Sequence, residues 1–113
     1  MHEVSIIQNV IKIVSDSAIE NKLTKINRVS LKIGQLSGVM PESLNFAFKS
    51  CIMDTMLEGA TLEIEKVDAV AECEDCKQEF PIDHFNKLCP ICNKFCSSII
   101  RGYELYVNTI EGD

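Results

Sequence analysis

Four cysteines in two closely spaced pairs are the residues of this sequence best suited to chemistry. C-E-D-C covers Cys73–Cys76, and twelve residues later C-P-I-C covers Cys89–Cys92. Two C-x2-C pairs at this separation are typical of a zinc site, because each pair bends so that its two sulfurs converge on one ion. Four protein ligands fill a tetrahedral shell and leave no position open for catalysis. The spacing therefore predicts a structural zinc ion bound by Cys73, Cys76, Cys89 and Cys92.

Other uses of these cysteines stay open at this point. The six cysteines of the chain could form disulfides, which needs an oxidising compartment, and the sequence has no recognisable secretion signal. One C-x-x-C pair would suffice for a redox dithiol, and four thiolates accept iron as well as zinc. The spacing and the missing signal favour zinc in a reducing cytoplasm.

A second candidate metal site lies at the first residues of the chain. A histidine at position 2, next to a free α-amine, can close chelate rings through the amine nitrogen of Met1, the intervening deprotonated amide and the imidazole of His2. The amide of Glu3 or a side chain could complete the plane. Square-planar nitrogen donors suit nickel(II) or copper(II) better than zinc. The dipeptide alone is weak evidence, because most histidines are not metal ligands.

Composition narrows the classes of function. The formal charge is −6, from 11 basic and 17 acidic residues, which argues against nucleic acid because phosphate contacts depend on Lys and Arg. A zinc-ribbon adaptor that binds protein or nucleic acid is nevertheless the alternative function. The sequence shows no Ser-His-Asp set, phosphate loop or open metal site that would indicate an enzyme. No apolar run approaches the length that spans a membrane.

Hydrophobic periodicity predicts the elements that position these sites. Apolar residues at steps of three and four predict a helix from Glu3 to about Glu20 and a second one that begins at Pro41. Alternating residues predict strands over 26–34, from 60 through Val67 and Val70, and over 99–110. The fold class is therefore α+β: a three-stranded sheet covered on one face by two helices, with an inserted zinc-ribbon-like lobe. A lobe of about thirty residues is too small to fold without a disulfide or a bound metal, so we expect the metal to fold it.

Four segments together resemble the HypA/HybF family, the nickel-insertion accessory proteins of [NiFe] hydrogenase maturation. They are the opening M-H-E, K-I-G ending at residue 34, P-E-S-L-N-F-A-F at 41–48, and the paired C-x2-C at 73–92. The resemblance covers essentially the whole chain in order. The cysteine pairs alone are unspecific, whereas their combination with an M-H-E start is much more specific.

The resemblance implies a nickel metallochaperone that does no catalysis. His2 would be the main side-chain ligand for nickel, helped by backbone nitrogens of Met1 and Glu3, and the four cysteines would bind structural zinc. Residues 1–69 with 99–113 would form the nickel-binding α+β domain, and residues 70–98 the inserted zinc-binding domain. The partners would be a HypB-type GTPase and the hydrogenase large subunit, and urease accessory proteins are also possible. The resemblance leaves a monomer and a homodimer both open.

Four further residues are candidates for smaller roles. Cys96 could exchange into the zinc site, but two C-x2-C pairs already fill the shell, so we expect a spare thiol. His84 could assist nickel transfer, although a solvated loop histidine is the simpler interpretation. Glu42 could reach the nickel, and otherwise complements the dipole of the second helix. Asn93 follows the second cysteine pair, where its tolerance of the left-handed conformation would help the turn.

Overall fold

The fold divides the chain into two units, each built from segments that are separated in the sequence. The computed structural model describes residues 3–96 and 98–113, so Met1, His2 and Ser97 lie outside the described residues. The first unit comprises Met1–Lys32, Val39–Glu65 and Tyr106–Asp113, and the second comprises Ile33–Gly38 and Lys66–Leu105. The second unit is thus wider than the predicted lobe of residues 70–98. The assignment of nickel to one domain and zinc to the other stays a prediction.

Helix α1 confirms the periodicity that predicted it. It runs over Glu3–Glu20. At its end the N–H of Leu23 donates to the carbonyl of Ala18, and the N–H of Lys22 donates to that of Ile19. These two bonds, with Lys22 at φ +62, make the Schellman motif that satisfies the last carbonyls of a helix. One face of α1 is buried and carries Ile7, Val10, Val14 and Ala18.

Helix α2 runs over Pro41–Cys51 and begins at proline, as predicted. Proline suits this position because its missing N–H would have no partner in the first turn. Leu44, Ala47 and Phe48 form the buried stripe, and α2 packs against α1. Among the described residues, neither helix has the length and apolarity needed to cross a membrane.

The first sheet has three strands in the order β2-β1-β6. They are β1 (Ile26–Gly34), β2 (Thr61–Val67) and β6 (Leu105–Gly112). From the central strand, the guanidinium of Arg28 bonds the carboxylates of Glu63 at 2.7 Å and Glu111 at 3.1 Å. All three side chains are well exposed, so these ion pairs contribute little to the stability of the sheet. The sheet and the two helices confirm the predicted α+β class.

A second small sheet lies in the second unit. It has β3 (Val70–Glu72) between β4 (Glu79–Pro81) and β5 (Ile99–Arg101), and both pairings are antiparallel. Two strand predictions are therefore wrong. The strand predicted to continue through Val70 ends at Val67, and the one predicted over 99–110 is divided between the two sheets.

The break after β5 has a local physical cause. Gly102 adopts φ +133, which is strained for any residue with a Cβ. Its N–H donates to the carboxylate of Glu104 at 2.7 Å. An added Cβ would lie 2.7 Å from the Cβ of Ala69. Because alternation of apolar residues continues through 103–110, the sequence pattern concealed this turn.

Gly34 is held against this same turn by backbone hydrogen bonds. The N–H of Gly34 donates to the carbonyl of Glu104 at 2.7 Å, and the N–H of Leu36 donates to that of Gly102 at 2.6 Å. A Cβ at residue 34 would lie 2.1 Å from the carbonyl oxygen of Gly102. Non-bonded atoms do not approach this closely, so either the segment around Gly34 or the turn at Gly102 would have to move.

We expect Gly34→Ala to destabilise the protein strongly. The loss of unfolding free energy should exceed about 3 kcal/mol, because the clash is with backbone and cannot be relieved by a rotamer change. Gly38→Ala is the matched control in the same loop. Gly38 has φ +79 but open space around it, so that variant should lose only about 1 kcal/mol. Urea unfolding of the zinc-loaded proteins measures both, and equal losses would contradict the clash.

Candidate metal centre

The two cysteine pairs form two turns with the same backbone pattern. In the first, the N–H of Lys77 donates to the carbonyl of Cys73 at 2.8 Å, and the N–H of Cys73 donates to the carbonyl of Gln78 at 2.9 Å. In the second, Asn93, Cys89 and Lys94 repeat these two bonds at 2.8 and 2.9 Å. Each turn therefore holds its first cysteine at a fixed place and brings the second one round to face the same point.

The residue after each pair takes the left-handed conformation that closes the turn. Lys77 has φ +61 and Asn93 has φ +57. Asparagine tolerates this region better than most residues, as predicted for Asn93. Lysine at the equivalent place of the first turn has no such preference. The hydrogen bonds of the turn must therefore offset the conformational cost at Lys77.

The four sulfurs of the two turns converge. All of them lie within 4.8 Å of one another, and the Sγ atoms of Cys76 and Cys89 are 3.6 Å apart. A disulfide would bring two sulfurs to about 2.05 Å, and all six cysteines of the chain are free. Sulfurs bound to one tetrahedral zinc ion at 2.3 Å lie about 3.8 Å apart. The arrangement therefore fits a bound ion and not a pair of cross-links.

The electrostatics of these sulfurs also favour a bound cation. The N–H of Cys76, directed at the sulfur of Cys73, is the main cause that lowers the pKa of Cys73 to about 6. The neighbouring sulfur of Cys76, together with burial, raises the pKa of Cys92 to about 12. Without an ion, the first thiolate thus makes it harder for its neighbours to lose their protons. A divalent cation removes that repulsion, so metal binding must release protons and weaken in acid.

A salt bridge joins the two turns beside the sulfurs. The ammonium of Lys94, which follows the second pair, bonds the carboxylate of Asp75 inside the first pair. This contact lowers the pKa of Asp75 and raises that of Lys94. Both side chains are more than half exposed, so the pair contributes little to stability. This salt bridge was not predicted, because no periodic pattern in the sequence connects residues 75 and 94.

Burial separates the four candidate ligands into two kinds. Cys73 and Cys89, the first of each pair, are almost fully buried, whereas Cys76 and Cys92 are partly exposed. The second unit packs its core around them. That core contains Leu36, Ala69, Ala71, Cys73, Phe80, Ile82, Cys89 and Cys96. Two of its eight members, Cys73 and Cys89, are predicted ligands, so these ligands are also part of the packing.

The other candidate residues occupy varied positions. Cys96 is outside the group of four converging sulfurs, although it is buried in the same core. His84 is exposed in the loop after β4, and Glu42 is exposed in the first turn of α2. Glu3 is the first residue of α1 and is partly buried. Met1 and His2 lie outside the described residues, so the nickel site stays a prediction.

Comparisons with known proteins agree on one family. The family model described as HypA, hydrogenase/urease nickel incorporation, metallochaperone, matches residues 1–112. A hydrogenase maturation factor HypA from Trichodesmium erythraeum is 42% identical over 111 residues, which is 98% of this chain and 95% of that protein. Its counterpart from Geobacter sp. (strain M21) is 45% identical over 111 residues, 98% of each chain.

The fold agrees with a solved structure of the same family. The solution structure of the Ni metallochaperone HypA from Helicobacter pylori matches with a TM-score of 0.69 and 25% sequence identity. The match covers 99% of this chain and 97% of that one. The matched region therefore includes residues of both units.

Proposed function

The chain belongs to the HypA family, and on this premise we propose that it is a nickel metallochaperone for the maturation of [NiFe] hydrogenase. The match over residues 1–112 is the observation that carries the proposal. We assign it a carrier role without catalysis, in which nickel is cargo. A carrier must release its metal, which suits a site built from few ligands at a chain end.

We assign zinc to Cys73, Cys76, Cys89 and Cys92. Four converging sulfurs, two of them buried, form the closed donor set that structural zinc prefers. When bound, zinc would supply charge neutralisation and a cross-link between the two cysteine turns. The free state of all six cysteines accords with a protein that works in the reducing cytoplasm.

We assign nickel to the first three residues. The imidazole of His2 would be the main side-chain ligand, and the backbone nitrogens of Met1 and Glu3 would complete a nitrogen-rich set that suits nickel(II). Glu3 begins α1, so any such site would be attached to a regular element. The unit that contains α1, α2 and most of the first sheet would then be the nickel-binding domain.

We propose two partners within the maturation machinery. One is a HypB-type GTPase and the other is the hydrogenase large subunit, to which the nickel would be delivered. The description of the family also names nickel incorporation into urease, and we extend the proposal to delivery through urease accessory proteins. A surface rich in acidic residues, with a formal charge of −6, gives no support to nucleic acid as a partner.

The proposed function is tested in cells that lack the gene. We expect the hydrogenase large subunit purified from such cells to contain little nickel, and we expect the intact gene to restore it. Growth with excess nickel should restore part of the content, because a carrier raises local metal supply and performs no chemistry on the enzyme. Nickel is measured by mass spectrometry of the purified subunit. A fully loaded subunit from the deletion strain would overturn the proposal.

A further inference from the structure

A fifth sulfur lies beside the proposed zinc ligands. Cys96 is 5% exposed and Cys73 is 1% exposed, and both belong to the core of the second unit. Burial raises the pKa of the Cys96 thiol, and the neighbouring side chain of Cys73 raises it further. The sulfur of Cys96 also donates a weak hydrogen bond to the carbonyl of Lys94 at 3.6 Å. Cys96 is therefore a free thiol held next to a sulfur that the ion would bind.

A thiol is not the side chain that packing alone requires at this position. The two cysteine turns are equivalent, so Cys96, four residues after Cys92, corresponds to Phe80, four residues after Cys76. Phe80 is also buried, at 5% exposure. An apolar side chain is thus what the fold uses at the matching place. The sulfur of Cys96 is available for chemistry that the core does not need.

The same two cysteines border one surface depression. It is lined by Cys73 and Cys96 together with Glu74, Asp75, Lys94 and Phe95. A small uncharged oxidant such as hydrogen peroxide can enter a depression of this kind. It would meet one ion-bound sulfur and one free thiol in adjacent positions.

We propose that Cys96 is a resolving thiol that forms a disulfide with Cys73 on oxidation by hydrogen peroxide, with release of zinc. In the first step the thiolate of Cys73 attacks one oxygen of the peroxide. The O–O bond breaks, and the products are a sulfenic acid and hydroxide. In the second step the sulfur of Cys96 attacks, the S–S bond forms, and the S–O bond breaks with loss of water. Two sulfurs together lose two electrons, and one peroxide gains them.

The absence of a bond to the ion favours Cys96 over the three other ligand cysteines in the second step. Cys76, Cys89 and Cys92 would still be bound to the ion as thiolates when Cys73 is oxidised, whereas Cys96 is not. The disulfide would then leave three sulfurs for an ion that prefers four ligands. Zinc should dissociate, and a thiol reductant with added zinc should reverse the change.

The test uses the full chain and starts from its zinc content. This inference rests on the zinc assignment, so a purified protein without zinc would refute that assignment before any oxidant is added. The zinc-loaded protein is then treated with near-stoichiometric hydrogen peroxide. Released zinc is followed with a coloured chelator, and disulfides are mapped by mass spectrometry after alkylation of free thiols.

We expect zinc release to accompany a disulfide between Cys73 and Cys96. Cys96→Ser should slow release by about tenfold, because the sulfenic acid lacks its resolving thiol. Cys51→Ser is the matched control, since Cys51 lies at the end of α2, and it should release zinc at the wild-type rate. Disulfides confined to the four ligands, or equal rates with and without Cys96, would overturn the proposal. Cys96→Ala serves if the serine variant fails to fold, and the map of the wild-type protein decides the pairing without any variant.

Discussion

Removal of zinc is expected to unfold the second unit and to leave the first one folded. The second unit contains the four proposed ligands and a core of eight buried residues, three of which are cysteines. Structural zinc contributes about 10–16 kcal/mol of apparent binding free energy in small domains. That is at least as large as the whole stability of many domains, which is about 5–15 kcal/mol. The metal should therefore decide whether this unit folds.

Most large apolar side chains of residues 70–98 are too exposed to stabilise this lobe in the absence of the ion. Of its large side chains, Phe80 and Ile82 are buried, but Phe85 is 98% exposed, Phe95 is 70% exposed and Ile91 is 67% exposed. Each buried side chain contributes on the order of 1.5–3 kcal/mol. Two large buried side chains make a small core for a segment of this length, so we do not expect packing alone to fold it.

Amide NMR spectra report on the folding of the two units separately. After chelation, signals from Lys66–Leu105 should collapse to unfolded positions, while those of α1 and α2 should keep their dispersion. Cys89→Ser should give the same spectrum without chelator, because it removes a fully buried ligand. Cys51→Ser should keep both zinc and the native spectrum. A dispersed second unit in protein shown to be free of metal would contradict the prediction.

The sequence predicted what depends on regular spacing. Periods of 3.6 and 2 residues located α1, α2 and the central strand β1, because one buried face imposes those periods. The spacing of two cysteine pairs predicted the four sulfurs that the structure brings together. Each of these features depends on residues that are close together in the sequence, so local patterns were sufficient to predict it.

Features that depend on distant contacts were not predictable. The division between β5 and β6 rests on Gly102, whose N–H bonds the Glu104 carboxylate and whose carbonyl accepts from Leu36. The exposure of Phe85 and Phe95 is equally invisible in composition, since an apolar residue does not reveal what covers it. The place of Cys96 in the same core as Cys73 was equally hidden, because the residues that form this core are far apart in the sequence.

His2→Ala should abolish tight nickel binding and leave zinc content unchanged. The proposed site combines the α-amine of Met1, the following amide and the imidazole, so the loss of the imidazole removes the main side-chain ligand. Even changes to groups that merely support a ligand cost 10–100-fold in metal affinity. We therefore expect the loss of affinity to reach about 100-fold or more.

Extension of the chain by one residue before Met1 tests the same site without changing any side chain. The α-amine would then lie one residue away from its place in the chelate, and an ordinary amide would take its position. Nickel affinity should fall as in His2→Ala, and in both cases zinc should stay at the wild-type level. Affinity of the unmodified protein should also weaken in acid, because the amine, amide and imidazole must lose protons to bind.

His84→Ala is the matched control, because the chain has 2 histidines and His84 is exposed in the loop after β4. Untagged protein with its native first residue is titrated with nickel by calorimetry, and zinc is counted by mass spectrometry of the same samples. The His84→Ala variant should bind nickel like the wild type. If the extended protein and His2→Ala both keep full affinity, the nickel lies elsewhere. Loss of affinity in His84→Ala would direct the search to the loop of the second unit, because an imidazole removed there would then have been a ligand.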